Sequence, residues 1–211
     1  GPLDADLFLS HSHYDHIWGW PHFSPGLDQG TRLHIRAGHL IPEYHIQDLM
    51  LDLLNDPLNL LNSKTLRANL IFEDFIIGDT LTPRPGIAVR TAHLNHPNSA
   101  AGYRIEFDGR SICYLTDHEH TKDGPDAALV ALTKGADLVI YDSTYTEEEY
   151  LNHVGWGHST WREGVKLCDI AEAQKFVVFH HDPGHDDMFM DEISREVAEA
   201  RPGSIVAREG L

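Results

Sequence analysis

The segment His11-Ser-His13-Tyr-Asp15-His16 constrains this chain more than any other stretch. It follows Asp6-Leu7-Phe8-Leu9-Ser10, an apolar run that predicts a buried strand ending where the histidines begin. Side chains of an extended segment alternate with a period of two, so His11 and His13 point to the same side. A turn after Tyr14 brings Asp15 and His16 round to a second position nearby. Core packing asks for no such concentration of imidazoles beside a carboxylate. Two imidazoles at one point, and a carboxylate plus an imidazole at another, suit a pair of divalent metal ions. Imidazole favours zinc and its neighbours, and a carboxylate oxygen helps to hold or bridge them.

Further strand-like runs recur at 33–36, 69–72, 87–91, 102–107, 111–115, 137–141, 175–179 and 204–207. Asp108-Gly109 between two of them is a tight hairpin signal. Helical periodicity appears at 44–54, 126–134, 160–173 and 187–200, and Thr160-Trp-Arg-Glu163 fits a capping box. Strands that meander early and alternate with helices later predict an α/β fold of two packed sheets with helices outside. The stretch 38–64 is the least regular, with Asn55-Asp-Pro57 breaking a helix, and we read it as an insertion over the active site.

The 211 residues, 41% of them hydrophobic, lead us to expect one compact domain over 1–211. A formal net charge of -17, from 33 acidic and 16 basic residues, counts against a non-specific polyanion binder. It leaves room for a small anionic substrate, because bound metal would reverse the field inside a cleft. Cys113 and Cys168 lack metal-ligand spacing and read as small buried thiols, in keeping with a reducing cytoplasm. There is no apolar run of membrane-spanning length, and no membrane association is expected.

Three later segments give the signature its context: His96-Pro-Asn-Ser-Ala-Ala-Gly102-Tyr103-Arg104, Gly157-His158-Ser159-Thr160, and Phe179-His180-His181-Asp182-Pro183. Taken in order from about residue 6 to the C-terminus, the chain resembles the metallo-β-lactamase-fold metallohydrolases, whose signature is H-x-H-x-D-H at a strand end. More narrowly, it resembles the branch containing the tRNA 3′-processing endonuclease RNase Z and small cyclic phosphodiesterases. The resemblance implies an αββα sandwich of two β-sheets flanked by helices. It also implies a pair of strands ahead of the signature strand and another after Arg208-Glu-Gly-Leu211. If these strands are absent, sheet edges need cover, and a second copy in a homodimer is one source of it.

The same resemblance implies a ligand set. His11, His13 and a third histidine would hold one ion; Asp15, His16 and a fourth would hold the other. For the third, His96 lies six residues before Gly102 as the family motif requires, with His93 the alternative. For the fourth, His180 has the family's His-x-x-Pro spacing, with His181 the alternative. Asp117, ending the apolar strand 112–115, would bridge the ions, although His118-Glu119-His120 replaces the Gly-Asp-Thr setting typical of RNase Z. His118, Glu119 and His120 then orient ligands or form exposed loop, and His181, Asp182 and His185 face substrate or support ligands. Asp142 resembles a family position that orients a nearby histidine.

The expected activity is that of a dinuclear metal-dependent phosphodiesterase. It would use two divalent ions, zinc first and manganese or iron otherwise, and attack a small or cyclic phosphodiester through a metal-activated hydroxide. Asp15 would orient or deprotonate the water, and His158 would donate to the leaving or non-bridging oxygen. No extended nucleic acid partner is expected. The alternatives are an RNase Z-type endonuclease and, from another class, a non-catalytic metal-binding or sensory module.

Overall fold

A computed structural model describes residues 1–55, 57 and 62–210. The chain divides into two compact units, Gly1–Ile77 and Gly78–Leu211.

The first unit is built on a three-stranded sheet in which β1 (Asp4–Leu9), β2 (Arg32–Ala37) and β3 (Asn69–Asp74) are all parallel. A meander was expected here. Parallel neighbours need long crossovers, and the segments between these strands supply them. The first crossover contains the short helix α1 (Tyr14–Ile17), and the second contains α2 (Ile46–Asn55). Ile46, Met50 and Leu54, one face of α2, are buried with Leu33, Ile35 and Trp20, whose indole N–H donates to the Met50 carbonyl at 3.2 Å. Over Ile46–Asn55, then, the stretch expected as an insertion is the β2–β3 crossover and part of the core. Asp56 and residues 58–61 of that stretch, including part of the expected helix breaker, lie outside the described residues. Arg36 on the central strand pairs with Asp6 on one side and with Glu73, at 2.7 Å, on the other.

The second unit carries a seven-stranded sheet in the order β10-β9-β8-β7-β6-β5-β4. Four strands form an antiparallel meander: β4 (Thr80–Arg84), β5 (Ile87–Leu94), β6 (Ala100–Phe107) and β7 (Arg110–Leu115). Asp108 and Gly109 make the β6–β7 hairpin with φ of 48° and 72°, the backbone that a two-residue primed turn needs. The sheet then continues in parallel through β8 (Leu138–Asp142), β9 (Lys175–Phe179) and β10 (Ile205–Val206). The connections are α3 (Ala127–Thr133), then α4 (Glu147–Tyr150) with α5 (Trp161–Ile170), then α6 (Asp187–Ala200). Leu129, Trp161, Leu167, Val197 and the sheet residues Val139, Phe176 and Val178 share one buried cluster. A Cβ on Gly164 of α5 would fall 2.6 Å from Phe176, so glycine lets this helix lie close on the sheet.

The architecture is mixed α/β, with two sheets that each carry helices. Among the described residues, no helix is long and apolar enough to cross a membrane.

Candidate metal centre and active site

Because β5, β7, β8 and β9 run the same way in the sheet, their carboxyl ends share one edge. His96, Asp117, Asp142 and His180 all lie at those ends, where open α/β sheets place ligands. Asp117 and His180 leave their strands with φ of 51° and 61°, a left-handed backbone that is uncommon for residues with side chains.

Asp117 is the hub. Its side chain is almost fully buried, with Oδ2 3.7 Å from His96 Nε2 and Oδ1 3.4 Å from His180 Nε2. Each carboxylate oxygen therefore addresses a different imidazole. The other nitrogen of each ring is engaged elsewhere. His96 Nδ1 lies 2.9 Å from the Gly157 carbonyl, which only an N–H can satisfy. His180 Nδ1 lies 2.9 Å from Thr144 Oγ1, and that hydroxyl is also within 2.8 Å of Asp142 Oδ1 and of the His180 carbonyl. With both rings protonated at Nδ1, the Nε2 lone pairs face the aspartate, the arrangement metal-ligating histidines adopt. The donor set therefore fits divalent ions that take imidazole nitrogen and a bridging carboxylate.

Asp142, fully buried at the end of β8, organises the neighbouring chain. Its Oδ2 accepts from His118 N at 3.0 Å and from His158 Nδ1 at 2.8 Å, and its Oδ1 accepts from Thr144 N at 3.1 Å. His158 is thereby held with Nδ1 bound and Nε2 directed away from Asp142. Its ring stacks on His180 at 5.0 Å and meets His96 edge-on at 5.3 Å. Thr160, two residues on, caps α5 by accepting from Glu163 N at 3.4 Å. The Glu163 carboxylate turns to Lys166, so only half of the expected capping box forms; the complete one is Thr146–Glu149.

In the first unit, the backbone leaves β1 at Ser10, and the next residues bring the signature side chains together. His11 is buried, and its ring lies 4.6 Å from His13 and 4.2 Å from His16. Asp15 and His16 fall on α1, with Asp15 Oδ2 3.0 Å from His16 Nε2. The expected turn after Tyr14 is this single helical turn.

The remaining histidines sort by what they touch. His93 is exposed on β5, whereas His96 is buried. His181 bonds through Nε2 to the Ala207 carbonyl at 2.9 Å, His185 to Glu149 at 2.9 Å, and His120 to Ser159 Oγ at 2.9 Å. His118 Nδ1 accepts from Asn95 N at 3.1 Å, and burial pushes this ring's pKa down to about 4, so it is neutral. His39, just beyond β2, is likewise pushed down to about 4 by burial. Sequence reasoning passed over Thr144, whose hydroxyl joins Asp142 to His180. Its signal was faint: a lone threonine just after a strand-ending aspartate.

The sequence profile of the Beta-lactamase superfamily domain matches residues 2–181. The chain belongs to that family. With its fold, this makes it a metallo-β-lactamase-fold protein. A ribonuclease Z of Brevibacillus brevis is 28% identical over 103 residues, 47% of this chain and 31% of that protein. The matched segment thus covers about a third of the length of that curated relative. The metallo-beta-lactamase fold protein YhfI from Bacillus subtilis matches with a TM-score of 0.72 at 18% identity, over 98% of this chain and 76% of that one. A diphosphatase from the PhnP family matches with a TM-score of 0.69 at 19% identity, over 98% and 69%.

Proposed function

We propose that this protein is a dinuclear phosphodiesterase acting on a small or cyclic phosphodiester. The observation that carries the reading is the Asp117 carboxylate, with one oxygen toward each of His96 and His180, whose Nδ1 atoms are already engaged. In this reading His11, His13 and His96 are the ligands of one ion. Asp15, His16 and His180 are the ligands of the other, and Asp117 serves both. Zinc suits the histidine-rich set first, then manganese or iron. When bound, such ions lower the pKa of water toward 7 and draw charge from a phosphoryl oxygen.

The protein's own groups do the rest. Asp15 orients the attacking water and takes its proton. His158, held at Nδ1 by the Asp142 carboxylate, gives a proton from Nε2 to the leaving oxygen, a contribution of about 10²–10⁴-fold when well placed. The two buried free cysteines suit a reducing cytoplasm.

The ribonuclease Z relative favours a second reading, tRNA 3′-end cleavage. The net charge of -17 speaks for the small substrate, since a long polyanion would be repelled outside the immediate site. The test compares kcat/KM for bis-p-nitrophenyl phosphate, cyclic nucleotides and a precursor tRNA on one metal-loaded preparation, with metal content measured alongside. Two ions per chain and a wide margin for the small diesters are expected. Efficient trimming of precursor tRNA with negligible activity on small diesters would replace this reading with the second.

A further inference from the structure

Glu119 stands two residues after Asp117, and no step above uses it. It is buried in a loop with no cationic side chain among its hydrogen-bond partners. Its carboxylate instead accepts from Gly155 N at 2.8 and 3.0 Å, from Gly157 N at 2.9 Å and from the Tyr150 hydroxyl at 2.9 Å. Three donors, two of them backbone N–H groups of a single loop, converge on the two carboxylate oxygens.

That loop carries two functional contacts. Gly157 presents its carbonyl to His96 Nδ1, and the next residue is His158. Glu119 also reaches the chain just before His96: its N–H donates to the Asn95 carbonyl at 2.8 Å, and Asn95 Nδ2 donates to its carbonyl at 2.9 Å. One residue therefore ties together the segment bearing His96, the carbonyl that orients the His96 ring, and the backbone that delivers His158.

We propose that Glu119 is a positioning residue whose carboxylate sets the 155–158 loop, so that the Gly157 carbonyl fixes the His96 ring and His158 stays on Asp142. The proposal rests on the reading of His96 as a metal ligand and His158 as a proton donor. The chemistry requires a carboxylate. Glu119→Gln keeps the size but puts an NH2 group against glycine N–H donors, and Glu119→Asp withdraws both oxygens by one methylene.

The experiment uses Glu119→Gln, checked for folding by circular dichroism, with three readouts. These are zinc affinity by chelator competition, kcat and KM on bis-p-nitrophenyl phosphate, and the His96 ring Nδ1–H resonance by NMR. We expect zinc binding about 10–100-fold weaker, the usual cost of losing a group that orients a ligand. We also expect a lower kcat at nearly unchanged KM and loss of the ring resonance. A folded variant with normal zinc affinity and an intact resonance overturns the proposal, even if its melting temperature falls. If the wild-type protein cleaves no phosphodiester but the variant still loses the resonance and zinc affinity, the clamp stands and the reading of function falls. Should Glu119→Gln not fold, Tyr150→Phe removes one of the carboxylate's partners and is expected to move the same readouts less, in the same direction; no movement overturns the proposal.

Discussion

Gly155 and Gly157 offer a matched pair of perturbations. Both have φ of 89°, so alanine at either position meets the same backbone penalty. That penalty is about 1–2 kcal/mol for an L-residue in a left-handed conformation. For a domain of this size it is a fall of roughly 2–8 °C in Tm. The surroundings differ sharply. A Cβ on Gly155 has nothing within 4 Å, whereas one on Gly157 would sit 2.2 Å from His96 Nδ1 and 2.4 Å from Pro97 Cδ. Relieving that overlap requires the His96 ring or the loop to retreat by about 1 Å. A displacement of that size near a reacting centre costs on the order of 10²-fold in rate. Gly155→Ala is therefore expected to lose stability and keep most of its zinc affinity and turnover. Gly157→Ala is expected to lose at least as much stability, about 10–100-fold in zinc affinity, and about 10²-fold in kcat/KM on bis-p-nitrophenyl phosphate. Thermal melts, chelator competition and steady-state kinetics on both variants make the comparison. Equal losses of zinc affinity in the two would mean that backbone strain accounts for the effect, and the claim that Gly157 shapes the His96 ring would be wrong.

His158→Ala should retain bound metal and lose about 10²–10⁴-fold in turnover; loss of metal with activity would make His158 a ligand. Asp117→Asn places an NH2 group against His96 or His180 Nε2, and metal analysis should then find fewer than two ions per chain. Burial pushes the Cys113 thiol up to about 11 and Cys168 up to about 12. Both stay protonated at pH 8, so a thiol reagent should label neither in the native protein and both after unfolding; fast native labelling would refute their burial.

What could be seen in the sequence was what local chemistry dictates. The β6–β7 hairpin followed from Asp108-Gly109, because few other pairs accept positive φ at both positions. The last helix followed from its apolar period, and α6 occupies Asp187–Ala200 as expected. Pairing direction was another matter. Alternation and apolar content mark a strand without saying whether its neighbour runs parallel, so the all-parallel β1–β2–β3 arrangement was not foreseen. β4 escaped notice because Pro83 interrupts it; as the sheet's edge strand it can hold a residue with no N–H to give. Among the site residues, His96, Asp117 and His180 were visible as types at strand ends. Glu119 was visible only as one of three residues that orient ligands or form exposed loop; the choice could not be read, because its partners include backbone N–H groups 36 and 38 residues away, and a backbone donor leaves no trace in the residue names.

The backbone itself separates site from scaffold. Asp117 and His180 are neither glycine nor turn residues of a hairpin, yet both hold a left-handed φ directly beyond a buried strand. A conformation of that kind costs on the order of 1–3 kcal/mol and persists only where the surroundings over-determine it. Here they do. Thr116 Oγ1 donates to Asp117 Oδ1 at 2.5 Å, and Thr144 Oγ1 lies within hydrogen-bond distance of both the ring and the carbonyl of His180. Asp142, through Thr144 on one side and His118 N on the other, ties the two strained residues to the same carboxylate. An ordinary core gains nothing from bending two parallel strands on either side of β8 this way, since an extended exit would bury the same apolar surface. The bend has a purpose only if the aspartate and the histidine must face each other, and His158 bound to that same Asp142 puts the proposed proton donor beside the pair.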